Sequence, residues 1–175
     1  GGSGRLGPAV LLVGTIADSF CGRTRDAPSG CGNSGSAHVY VLDVLGGSWS
    51  WNGTLKPALV KPGAECGYSM AIAGDVVAVG CPHDKSLSTV VDDGEGRTDG
   101  GSVGSAHVWR LNSSNASASD REAYLKAFRA ASGQLFGHLV TVAANATYEV
   151  VAVGAPYSRS GAPYGNASGT LAMAY

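Results

Sequence analysis

Apolar residues in this chain gather in short runs, and glycine or proline cuts each run off. Val76-Val77-Ala78-Val79 ends at Gly80-Cys81-Pro82, and Val150-Val151-Ala152-Val153 ends at Gly154-Ala155-Pro156. A run that is apolar at every position marks a strand buried on both faces. The glycine then allows unusual backbone angles, and the proline cannot donate to a ladder. Ahead of the first run, Tyr68 to Ile72 reads as a strand and Gly74-Asp75 as a hairpin turn. Ahead of the second, Val140-Thr141-Val142 reads as a strand with a longer turn through Asn145-Ala146-Thr147. Gly-led strands follow: Gly35-Ser36-Ala37-His38-Val39-Tyr40, Gly104-Ser105-Ala106-His107-Val108-Trp109 and Gly169-Thr170-Leu171-Ala172-Met173-Ala174.

The pattern is periodic. Gly14 (in Val13-Gly14-Thr15-Ile16), Gly80 and Gly154 stand 66 and 74 residues apart, and Gly35, Gly104 and Gly169 stand 69 and 65 apart. A period that long makes each unit a small sheet stacked on its neighbours. One segment is ambiguous alone. Ser119-Asp120-Arg121-Glu122 resembles a helix capping box, with Ala123, Ala127 and Phe128 on one helical face. Its counterpart decides against a helix: Leu55-Lys56 stands eleven residues before Gly67, as Leu125-Lys126 does before Gly137, and Pro57 follows the first pair. Both segments are therefore expected to be outer strands.

The words Phe136-Gly137 and Gly154-Ala155-Pro156 resemble the FG-GAP repeat family, the repeat of integrin alpha-subunit β-propellers. The middle unit reads Cys66-Gly67 and Gly80-Cys81-Pro82, and the first keeps only Val-Gly-Thr-Ile. The resemblance covers nearly the whole chain. It implies an all-β fold of four-stranded antiparallel blades, with about two and a half blades in one segment spanning residues 1–175: about 9–60, 66–129 and 135–175. Such an arc leaves apolar faces uncovered at its ends, which implies further blades of the same propeller, self-assembly or a protein partner. The calcium sites common in this family do not carry over, because the turns Ala73-Gly74-Asp75 and Ala144-Asn145-Ala146-Thr147 hold one carboxylate or none.

At 175 residues the chain fits one domain, able to bury roughly 70% of its unfolded surface. A net charge of −1 with 14% charged residues and no basic stripe argues against nucleic acid. No apolar stretch approaches the roughly 20 residues of a membrane span. The N-terminus, without Met or a signal-peptide pattern, reads as a mature product or a fragment. Five N-glycosylation sequons, at Asn52, Asn112, Asn115, Asn145 and Asn166, all in turn or loop segments, favour a secreted or cell-surface glycoprotein. The cysteines agree. Cys21 and Cys31 bracket one loop, and Cys66 and Cys81 flank the hairpin at Gly74-Asp75. Each bridge closes a loop of about 11 to 16 residues and contributes about 3 kcal/mol. Closely spaced Cys or His pairs for zinc are lacking.

Candidate chemistry is sparse. Asp92, Asp93, Glu95 and Asp99 form an acidic loop, read as solvated, with calcium as a weak alternative and no other cofactor expected. His38 and His107 share a strand position and read as packing residues. Ser69 and Ser102 are read as lacking a Gly-x-Ser-x-Gly context and set aside as hydrolase nucleophiles, and Gly100 to Gly104 lacks the lysine of a phosphate loop. Trp49 and Trp51 share a strand face and read as packing between blades. Arg23, Arg25 and Arg97 read as solvated loop charge. The expected function is non-enzymatic adhesion, protein interaction or surface and matrix assembly, through the loops at 17–34, 82–103 and 157–168. The alternatives are an accessory propeller of a secreted phospholipase-type hydrolase and a lectin-like module.

Overall fold

In the computed structural model the described residues are 9–22, 29–43, 45–112, 115–145, 147–158 and 170–174, the backbone alone at 118–122 and 170–174. They form ten strands and no helix: β1 (Val10–Thr15), β2 (Ser36–Asp43), β3 (Ser48–Leu55), β4 (Ser69–Ala73), β5 (Val76–Cys81), β6 (Ser105–Leu111), β7 (Ala118–Leu125), β8 (Leu139–Ala144), β9 (Glu149–Gly154) and β10 (Thr170–Ala174). Three antiparallel sheets result, ordered β1-β2-β3, β4-β5-β6-β7 and β10-β9-β8. The segment with the capping-box pattern is strand β7, paired with β6 through Ala106↔Leu125 and Val108↔Ala123. The hydrophobic neighbour, not the local pattern, decides that conformation.

The sheets pack face to face, and β5 explains its own composition. Val77 and Val79 join Ala37, Val39, Leu55, Trp109 and Leu111 in the core between the first and middle sheets. Val76 and Ala78 join Ala106, Val108, Leu125, Phe136, Val140, Val151 and Val153 between the middle and third. Alternate residues of one strand thus serve two cores, so no position has a solvent side to leave polar.

The two seams are built alike. At the first, Gly63 N, Glu65 N and Cys66 N donate to Gly32 O, Asn33 O and Ser34 O at 2.8, 3.0 and 2.9 Å. At the second, Gly133 N, Leu135 N and Phe136 N donate to Gly101 O, Ser102 O and Val103 O at 2.7, 3.3 and 2.9 Å. The left-handed φ values repeat as well: Asn33 and Ser102 at 52° and 48°, Glu65 and Leu135 at 54° and 55°. Both cysteine pairs are bridged, with Cα separations of 5.3 Å for Cys21–Cys31 and 4.0 Å for Cys66–Cys81. The second bridge occupies the place that Phe136 and Ala155 fill in the next core.

Glycine is required where the sheets touch. A Cβ on Gly14 would overlap the Gly67 carbonyl oxygen, and one on Gly80 would overlap that of Gly137. Gly154 holds the same place in the third sheet but meets only Leu139 of its own sheet, at 3.4 Å. Gly80→Ala should therefore cost at least ~2 kcal/mol of stability, while Gly154→Ala should stay within ~0.5 kcal/mol. Urea denaturation of the two variants checks this; equal losses would mean that the seam contact is not what the glycine serves.

Candidate functional site

Up-and-down strands sort the connections to two ends. The β4–β5, β6–β7 and β8–β9 turns lie at one end, where Arg110 bridges Asp75 at 3.0 Å and Glu149 at 2.8 Å across two sheets. That bond holds the Glu149 carboxyl below its usual range. The β1–β2 and β5–β6 loops lie at the other end, together with the linkers 56–68 and 126–138 that enter the next sheet. The sequons follow this division. Asn112 and Asn115 flank the β6–β7 turn and Asn145 begins the β8–β9 turn, all three exposed. Asn52 departs from the expectation of a turn or loop: it is half-buried on strand β3, and its Nδ2 donates to the Asn115 carbonyl at 2.8 Å. Asn166, Arg23 and Arg25 lie outside the described residues.

Beneath the long loops sits a buried polar cluster that the sequence reading did not single out. Lys56 and Lys126 are both fully enclosed. Lys56 Nζ reaches Asp18 Oδ2 at 3.1 Å, and Lys126 Nζ donates to the Gly104 carbonyl. Asp84 accepts from Lys61 Nζ at 2.7 Å and Ser86 N at 2.9 Å on Oδ1, and from the Tyr124 hydroxyl at 2.9 Å on Oδ2. Both lysine ammoniums, Lys61 and Lys126, lie 5.8 and 5.7 Å from the Tyr124 ring centre. His107 packs on Trp109 and Tyr124 at 5.7 and 5.0 Å, the packing role expected of it. His38 instead bonds Thr54 at 2.9 Å and Thr15 at 3.1 Å.

The cluster is legible in the repeat. Asp18 and Asp84 each stand four residues after a signature glycine, Gly14 and Gly80, and each lysine follows a leucine that ends an outer strand. Burial pushes both aspartates upward. At Asp84 the Lys126 and Lys61 charges outweigh it, and at Asp18 the Ser36, Phe20 and Lys56 hydrogen bonds do, so both end below their usual values. Burial also drives Lys126 down to about 8, against the attraction of Asp84. Burial and the Asp84 charge raise the Tyr124 hydroxyl.

In the acidic loop Asp92, Asp93 and Asp99 are all exposed, and two of them also bond backbone amides. Asp92 Oδ1 accepts the Tyr124 amide, and the Asp92 amide returns a bond to the Tyr124 carbonyl at 3.0 Å. Asp99 accepts the Leu87 amide at 2.9 Å and pairs with Arg97, and both contacts lower its pKa. Asp92 and Asp99 thus brace the loop while staying exposed. Asp93 is exposed and Glu95 half-buried, and the four carboxylates form no group able to hold a metal among the described residues. There the one such group is Cys66, Cys81 and His107, with ligand atoms within 4.8 Å of one another, but the two sulfurs are bonded together.

Two further readings change. Trp49 and Trp51 are 46% and 38% exposed on the edge strand β3 rather than packed between sheets. Ser102 does lie in a Gly-x-Ser-x-Gly word, Gly100 to Gly104, and its Oγ is 3.0 Å from His83 Nδ1, with His83 Nε2 3.5 Å from Glu65. A nucleophile elbow needs a strand-to-helix turn. Here the word leads into strand β6, and the chain of contacts ties loop to linker. Ser69 Oγ donates to the Gly137 carbonyl at 2.8 Å and is likewise part of a seam.

No family model and no curated protein matches the chain. The site therefore stands on its geometry. Lys126 keeps its proton to the ordinary 10.5 when unfolded but releases it near 8 when folded. The unfolded chain binds more protons in that interval, so stability rises with pH there. Tyr124 acts oppositely above its ordinary 10.0, because the folded state retains that proton. Urea midpoints should climb from pH 7 toward a maximum near pH 10, and the climb should flatten in Lys126→Met; an unchanged climb in the variant would rule Lys126 out as its source.

Proposed function

We propose that the chain is an FG-GAP-type propeller segment of about two and a half blades, part of a secreted or cell-surface glycoprotein, and that it acts without catalysis by binding another protein in adhesion or assembly. The observation that carries the reading is the long-loop end. Its backbone is tied down by the seam hydrogen bonds and the buried cluster, yet Phe128, Val90 and Leu59 stand 74%, 56% and 53% exposed there. Apolar side chains held on a rigid frame meet a partner at low entropic cost. Glycans on Asn112, Asn115 and Asn145 would project from the opposite end. Two disulfides suit an oxidising compartment.

Surfaces coated with the protein should retain cells of the source organism. The variant Leu59→Asp, Val90→Asp, Phe128→Asp should lose that retention with an unchanged thermal unfolding curve. Retention by the variant equal to wild type would remove the long-loop end from consideration, and retention no greater than an inert protein coat would sink adhesion itself.

The exposed pair Trp49 and Trp51 favours one second reading, carbohydrate stacking on β3. It requires saturable binding in a glycan array that disappears in Trp49→Ala, Trp51→Ala; an array blank for wild type ends it.

A further inference from the structure

Asp84 has a partner that its counterpart Asp18 lacks. In the first sheet one lysine, Lys56, sits on Asp18 Oδ2, and Ser36 Oγ donates to that same oxygen at 2.6 Å. In the middle sheet the equivalent lysine, Lys126, turns to the Gly104 carbonyl, and Lys61 takes the carboxylate. Lys61 belongs to the linker between sheets, and the matching position of the next linker is Ala131, so the repeat itself does not call for this lysine.

Around Asp84 the two carboxylate oxygens are differentiated. Oδ1 meets the Lys61 amine at 2.7 Å and the Ser86 amide at 2.9 Å, while Oδ2 accepts the Tyr124 hydroxyl at 2.9 Å. Both side chains are buried, at 10% and 3% exposure. A cavity of about 10 Å³ adjoins them, lined by Lys61, Asp84, Glu95 and His107 among others. That is room for about one water molecule.

We propose that Lys61 and Asp84 condense to an intramolecular isopeptide bond that fastens the linker to the β5–β6 loop. The Lys61 ammonium passes a proton along its hydrogen bond to Oδ1, leaving a neutral amine against a carboxylic acid. The amine lone pair attacks Cγ, and charge develops on Oδ2, where the Tyr124 hydroxyl and the nearby Lys126 cation receive it. The C–Oδ1 bond breaks, the nitrogen gives up a second proton to the departing oxygen, and one water leaves into the adjoining cavity. One amide and one water replace one ammonium and one carboxylate, with no change in oxidation state and no co-reactant. Fixed proximity supplies the encounter. Removing two opposite charges from a low-dielectric site favours the product, since each buried ion is costly to keep. At Asp18 the amine and the Ser36 hydroxyl share Oδ2, and Oδ1 accepts the Phe20 amide at 2.9 Å, an arrangement without the tyrosine hydroxyl that Asp84 presents on its second oxygen.

The test is mass spectrometry of the full chain, made where disulfides form and no glycans are added, then reduced and denatured. Wild type should weigh one water less than its composition, and digestion should yield a branched peptide joining Lys61 to Asp84. Lys61→Arg keeps the ion pair but cannot form the amide, so it should regain full mass and lose the branched peptide while staying folded. Tyr124→Phe should slow the bond's appearance in newly refolded protein. A full-mass wild type means an ion pair only and overturns the proposal. So does a missing water found on a linear peptide, such as a succinimide at Asp93-Gly94.

Discussion

The carbonyl oxygens of Gly67 and Gly137 lie directly over the Cα atoms of Gly14 and Gly80, closer than any side chain at those positions would allow. That approach brings each linker near enough to the preceding loop for three backbone hydrogen bonds of 2.7 to 3.3 Å. Linker and loop backbones would otherwise carry buried, unpaired amides and carbonyls. With the linker seated, the following sheet lands flat against its predecessor and Val76 to Val79 become buried on both sides. The same positions accept left-handed φ in Asn33, Glu65, Ser102 and Leu135, a cost of about 1 to 3 kcal/mol each, because the seam bonds over-determine them.

Polar chemistry then fills the one region the apolar cores leave open. A lone buried ammonium would cost several kcal/mol, yet Lys56 and Lys126 recur at matching positions. They persist because each seam provides an oxygen for the ammonium, the Asp18 carboxylate in one case and the Gly104 carbonyl in the other. The β5–β6 loop is drawn into this network through Asp84, Ser86 and Ser88, all buried, and through the Asp92 bonds to β7. Half of the loop has thereby become scaffold. Outward it presents Val90 and Val91, the first tied back by its amide to the Ser88 hydroxyl at 3.3 Å.

The strands, their turns and their grouping into units were readable from the chain, because alternation and apolar runs follow from the pleat and Gly-Pro punctuation follows from backbone sterics. The likeness of Leu55-Lys56 to Leu125-Lys126 overrode the helical pattern of residues 119–130, and β7 is a strand. The cysteine pairs were readable for the same reason: a hairpin turn at Gly74-Asp75 sets Cys66 beside Cys81. The lysine cluster left a trace in the repeat that charge alone did not reveal, since a lysine looks like surface until its partners are known.

Sequence by itself determined the local geometry of this protein: which segments extend and where they turn. Only the tertiary structure decided the fate of side chains whose environment another sheet supplies. Trp49 and Trp51 are exposed because β3 is an edge. Asp92 and Asp99 are exposed yet bonded, because backbone amides of β7 and Leu87 lie within their reach. Asp84 gathers two lysines and a tyrosine from segments up to 42 positions away along the chain. Burial and charge pairing are sums over neighbours brought close by folding, and no spacing along the chain encodes them.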